Sequence, residues 1–143
     1  MSAWIALLLS ASASAQKEPE WSQGDDAKLY ACLEQSGASD PEMRECWRQY
    51  AQREDARLNH NWRILIERAG GRETFAGKAL VAEQRAWLAF RDASCQYFEN
   101  ATLDRLQQQI CYTARIVSRA DELAGMVSEL DAYKVNQNLR TEE

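Results

Sequence analysis

Four cysteines, Cys32, Cys46, Cys95 and Cys111, constrain this chain more than any other feature. Cys32 and Cys46 each stand seven residues from position 39, inside Gly37-Ala38-Ser39-Asp40-Pro41, the clearest turn signal in the sequence. Cys95 and Cys111 each stand eight residues from position 103, just past Glu99-Asn100-Ala101-Thr102. In an antiparallel helix pair, residues equidistant from the connecting turn lie at the same height. Each pair can therefore reach the short Cα separation that a disulfide demands. The expected bridges are Cys32–Cys46 and Cys95–Cys111, and loops of this length contribute roughly 3 kcal/mol each on chain-entropy grounds.

Disulfides call for an oxidising compartment, and the start of the chain agrees. Trp4 to Leu9 is a short apolar run, followed by alternating Ser and Ala that end in the small-x-small site Ala13-Ser14-Ala15. Residues 1–15 thus read as a signal peptide cleaved after Ala15, and the expected location is periplasmic or secreted. The run is too short to span a bilayer, which takes about 20 apolar residues, so no stable membrane insertion is expected. No Lys or Arg precedes it, which leaves either a start further upstream or a weak signal. No cysteine stands near the cleavage site to carry a lipid. Zinc and thioredoxin-like redox chemistry both lack their signature, because there is no C-x-x-C pair and the lone His60 is distant from every cysteine. No metal or cofactor is expected.

Helix formers dominate the remainder, and two prolines with six glycines leave little material for a turn-rich β architecture. After an open acidic segment (16–24), Asp25 or Asp26 caps a short helix through Leu29 and Cys32 to about Gln35. Ser39-Asp40-Pro41-Glu42 has the form of a helix start, with a Ser or Asp cap and proline in the first turn. The second helix carries Met43, Trp47, Tyr50, Leu58, Trp62 and Leu65 on one apolar stripe and closes at Gly70-Gly71. A third runs from about Glu73 to Asn100. A fourth starts at Leu103 and continues through Leu106, Ile110, Ala114, Val117, Ala124 and Val127. Beyond residue 130 the pattern is lost, and 131–143 are expected to fray. The expected fold is all-α: an antiparallel assembly of about four helices over residues 25–130, stapled by two disulfides.

The net charge of −5 is unevenly spread: residues 16–60 hold ten acids and six bases, whereas residues 61–130 hold nine of each. There is no basic stripe, so nucleic acid and anionic membranes are poor partners. Glu18, Glu20, Asp25 and Asp26 near the start suit a cationic partner instead. No acid pair has a spacing that marks it for catalysis, and His60 has no nearby nucleophile or carboxylate motif. No catalytic residue is assigned. The third helix holds the more informative set. Gln84 and Arg91 interrupt the stripe of Leu80, Trp87, Leu88, Cys95 and Phe98, with Asp92 beside them. An arginine on such a stripe needs partners. The structural expectation is that Arg91 pairs with a carboxylate of another helix and locks the register. The functional one is that Arg91 and Trp87 form part of a binding surface.

Together these motifs resemble the LprI-like lysozyme inhibitor N-terminal domain, a family of small exported bacterial domains. The resemblance lies in Cys32 and Cys46 with Met43 between them, then Leu58-Asn59 followed by Trp62. It continues in the block Glu83-Gln84-Arg85-Ala86-Trp87-Leu88-Ala89-Phe90-Arg91-Asp92-Ala93-Ser94-Cys95, and finally in Cys111, Thr113, Arg119 and Leu123. It implies a helical, disulfide-bonded exported domain that binds a protein rather than catalysing a reaction. The named activity is inhibition of lysozyme by occluding its cleft, with acidic residues steering a cationic enzyme. The alternative expectation is an interaction or accessory module of the cell envelope without lysozyme inhibition. The motif residues Leu58, Asn59, Trp62, Gln84, Trp87, Arg91, Asp92 and Arg119 read as framework.

Overall fold

The computed structural model describes residues 24–98, 100 and 104–141, with side chains described from Asp26 to Tyr133 within that set. The expected signal peptide and residues 16–23, including Glu18 and Glu20, lie outside the described residues, as does the side chain of Asp25. Four helices follow one another: α1 (Gly24–Gln35), α2 (Asp40–Arg68), α3 (Phe75–Tyr97) and α4 (Arg105–Thr141). No strand occurs among the described residues.

Chain direction follows from who meets whom. Cys32 meets Cys46 and Asp26 meets Tyr50, so α1 and α2 are antiparallel. Cys95 meets Cys111 and Gln84 meets Arg119, so α3 and α4 are antiparallel too. By contrast, Asn61 reaches the Ala120 carbonyl and Arg68 the Val127 carbonyl, and both contacts join residues 59 apart. A constant offset means that α2 and α4 run parallel. Consecutive helices alternate in direction as expected, while the core is built between α2 and α4.

That core is a heptad seam. Ala51, Leu58 and Leu65 of α2, spaced by seven, face Ile116, Ala120 and Leu123 of α4, spaced by four and three. Trp62, Leu80, Trp87, Met126 and Val127 close around it. A second cluster seats α1: Leu29, Cys46 and Tyr50, with Leu33, Trp47 and Val117 against them. Leu65 and Leu123 are 1% and 0% exposed, so truncating either to Ala should cost about 2–5 kcal/mol.

The helix ends have local causes. Gly70 and Gly71 donate to the Glu67 and Ile66 carbonyls, the paired bonds of a Schellman ending, and the positive φ of Gly70 (81°) is what that motif requires. Thr74 then caps α3, its hydroxyl accepting from the Gly77 N–H at 3.0 Å. At the start of α2, Ser39 has the extended backbone of a cap, but its side chain makes no capping bond. Asp40 and Pro41 in the first turn do the work there.

Several boundaries differ from the sequence reading: α3 spans Phe75–Tyr97 rather than about Glu73 to Asn100, and α4 begins at Arg105 rather than Leu103. Gly24 already belongs to α1, and α4 continues helically to Thr141 instead of fraying from residue 131. Arg68 bonds the Val127 carbonyl and pairs with Asp131, tying the start of that extension to the end of α2.

Candidate functional site

Both disulfides form as the turn symmetry required, each with its Cα atoms 5.7 Å apart. Each lies close to its turn, so the two staples rigidify the same end of the molecule, the one that carries the α1–α2 and α3–α4 connections. Cys46 and Cys95 are buried.

The framework residues separate into core and clasp. Leu58 is buried, Trp62 half-buried against the core. Asn59 is exposed and bonds the Asp55 carbonyl and carboxylate on its own helix. The clasp centres on Arg119, 2% exposed on α4. Its Nε donates to Gln84 Oε1 at 3.0 Å, and its Nη1 donates to Glu83 at 2.8 Å and Glu122 at 2.7 Å. The guanidinium also lies 5.9 Å from the Trp87 ring centre. Burial works against its charge, but the bonds it donates to Glu122 and Glu83 outweigh that and raise its pKa.

Arg91 does not take the partner expected of it. Its Nε and Nη2 both bond Asp92, the next residue on the same helix, at 2.9 and 2.7 Å. Its guanidinium stacks on Trp87 at 5.4 Å and on Tyr112 of α4 at 5.7 Å. The residue on α4 that faces this height is an aromatic ring, not a carboxylate. The charged lock between α3 and α4 is Arg119 with Glu83 and Gln84, about two turns further along. Nothing in the periodicity of the fourth helix singled Arg119 out, and only the family resemblance named it.

The α2–α4 seam also holds buried polar groups that periodicity passed over, Glu54 and Asn61 of α2 among them. Glu54, 5% exposed, accepts from Arg57 at 2.8 and 2.5 Å, and Arg57 in turn reaches Asp121 at 2.7 Å. Asn61, 9% exposed, donates to the Ala120 carbonyl at 3.1 Å. Their signal was present as the seven-residue spacing from 47 through 54 to 61, four residues ahead of each buried apolar position.

Concavities open on the surface among the described residues, and two of them lie between three helices. One, of about 500 Å³, lies between the end of α2, the start of α3 and α4, with Leu65, Ala69, Leu80 and Met126 in its lining. The other, of about 430 Å³, lies between α1, α2 and α4, with Tyr30, Tyr50, Asp26 and Asp121 in its lining. Asp26 accepts the Tyr50 hydroxyl, which fastens α1 to α2. Burial and then that bond push the Tyr50 phenol well above its ordinary pKa. On the hairpin tip pinned by Cys32–Cys46, Glu34, Asp40 and Glu42 stand exposed. Glu45 beside them is held down to about 2 by its hydrogen bonds to Arg48 and Gln49.

Among the described residues, no three His, Cys, Asp or Glu side chains gather in a way that could hold a metal ion. No described helix is long and apolar enough to cross a membrane. The arrangement is a scaffold stapled by two disulfides, with an internal polar clasp and exposed acidic residues on the α1–α2 hairpin tip. No curated protein and no solved structure matches the chain. The lysozyme inhibitor LprI family does match, over residues 32–123, a span that holds both disulfides, the α2–α4 seam and the Arg119 clasp, and the chain belongs to that family.

Proposed function

We propose that this protein is an exported lysozyme inhibitor that protects the bacterial cell wall by occluding the enzyme's cleft. The observation that carries the reading is the family match across the entire stapled core. The electrostatics support it. The acidic excess of residues 16–60 includes Glu18, Glu20, Asp25 and Asp26, and the hairpin tip adds Glu34, Asp40 and Glu42. A cationic lysozyme would be steered toward that end, raising the association rate. The disulfide Cys32–Cys46 holds the tip in one shape, so little conformational entropy is lost on docking. The protein acts by binding, without chemistry of its own.

The test is lysozyme activity on a cell-wall substrate, titrated with oxidised residues 16–143 against several lysozyme classes at two salt concentrations. Dose-dependent inhibition that weakens with salt is expected, as is a slower association when Glu34, Asp40 and Glu42 are reversed to lysine. If folded protein inhibits no class, the reading fails and an envelope interaction module takes its place.

A further inference from the structure

The outward face of α3 is unlike the outward face of any surface helix that is finished by water. At 100° per residue, Phe75, Ala79, Ala82, Ala86, Phe90, Ala93 and Tyr97 all fall within about 40° of a line through Ala86, and all seven are exposed. Phe75 is 93%, Phe90 53% and Tyr97 62% exposed. No charge interrupts them. The corresponding outward line of α2 reads Glu45, Arg48, Gln52, Ala56, Asn59, Arg63 and Glu67, equally exposed and polar at every position but one. A line of apolar residues this long, three of them aromatic, marks a contact surface.

The order of the residues says what the contact is. About Ala86 the line pairs like with like at two of its three levels: Ala79 and Ala93 stand seven residues to either side, and the aromatic Phe75 and Tyr97 eleven. Four residues to either side stand Ala82 and Phe90, one small and one large. We infer that α3 is a self-association surface on which a second copy of this chain docks antiparallel, about a two-fold axis at Ala86. A two-fold axis brings each position against its mirror. Phe75 of one copy then meets Tyr97 of the other, and Phe90 of each copy fills the space over Ala82 of the other. The alanines between let the backbones approach closely. The Arg115 guanidinium lies 4.9 Å from the Phe90 ring centre, so the ring is already held before it is buried.

The size of the surface sets its strength. The 23 residues of α3 run about 34 Å at 1.5 Å per residue. A strip about 10–12 Å wide buries on the order of 400 Å² per copy, about 800 Å² in total, below the 1,200–2,000 Å² of standard interfaces. The dimer is therefore concentration-dependent, with a Kd on the order of 10–100 μM. This association does not depend on lysozyme binding, and its test uses no lysozyme.

Sedimentation of the oxidised chain from about 5 to about 500 μM should show a monomer–dimer equilibrium in that range. Ala86→Glu places two carboxylates on the axis and should weaken it at least tenfold, with helicity by circular dichroism unchanged because the site is exposed. Ala82→Phe alone and Phe90→Ala alone should each weaken it, and the two together should restore it, because the swap exchanges knob and hole. A chain that stays monomeric throughout, or a dimer indifferent to Ala86→Glu, overturns the inference. Failure of the swap to restore association overturns the antiparallel register.

Discussion

Arg119 offers a test of what holds α3 in place. Replacing it with Met keeps an unbranched apolar side chain at this buried position and removes the charge, including the guanidinium beside the Trp87 ring. Three hydrogen bonds are lost, to Gln84, Glu83 and Glu122. Both carboxylates are half exposed, at 47% and 56%, so each rehydrates when its partner goes, and each pair is worth about 0–1 kcal/mol. Against this, the buried guanidinium no longer has to be stripped of water, and its Nη2, which has no hydrogen-bond partner, disappears. The net cost of Arg119→Met should be about 1–2 kcal/mol. Arg119→Ala removes the rest of this buried side chain as well and leaves a cavity, so about 3–4 kcal/mol is expected. Urea unfolding of the oxidised protein, followed by circular dichroism at constant slope, measures both. If Met proves as costly as Ala, the ion pairs and not the apolar packing at this position hold the helix, and the reasoning from carboxylate exposure is refuted.

Three other outcomes follow from particular contacts. A Cβ on Gly77 would lie 1.9 Å from the Gly71 carbonyl oxygen, so Gly77→Ala must push α3 off the α2–α3 turn. A loss of about 2–4 kcal/mol in chemical unfolding is expected, and an unchanged midpoint would contradict the close approach. Reducing both disulfides should remove about 6 kcal/mol, at roughly 3 kcal/mol per loop, leaving the chain near its folding limit; a melt indifferent to reductant would count against this. The Tyr50 phenol is raised in the folded state, so its contribution is complete below the ordinary phenol pKa of about 10 and declines as pH climbs above it. Tyr50→Phe should flatten the alkaline limb of the stability profile, and a limb identical to that of the wild type would show that another group sets it.

Much of the fold was legible because its strongest constraints are local. The symmetry of the cysteines about positions 39 and 103 determined both bridges, and the bridges determined which helices pair antiparallel. Gly70-Gly71 marked a Schellman ending, and the stripe from Met43 to Leu65 marked the buried side of α2. What was not legible depends on two helices at once. That α2 and α4 run parallel at a fixed offset, with Asn61 bonding Ala120 and Arg57 bonding Asp121, appears in neither stripe alone. Arg91 misled for a related reason: its position on an apolar stripe said that it needed a partner, but only the facing helix decides between a carboxylate and the ring of Tyr112.

The most specific block of the family resemblance falls on α3, a helix with a thin core. Over its whole length α3 buries only Gly77 and Cys95. Apolar packing along such a helix is too sparse to set its height and rotation, so specific tethers must do so. They are the close approach of Gly77 at one end, the Cys95–Cys111 bridge at the other, and the Glu83–Gln84–Arg119 clasp with Trp87 between them. Each tether names particular residue types, whereas the α2–α4 seam requires only apolar side chains of suitable volume at the right spacing. The stretch from Glu83 to Cys95 is therefore recognisable because α3 is weakly buried. For the same reason its other side is left free to carry the exposed apolar face from Phe75 to Tyr97.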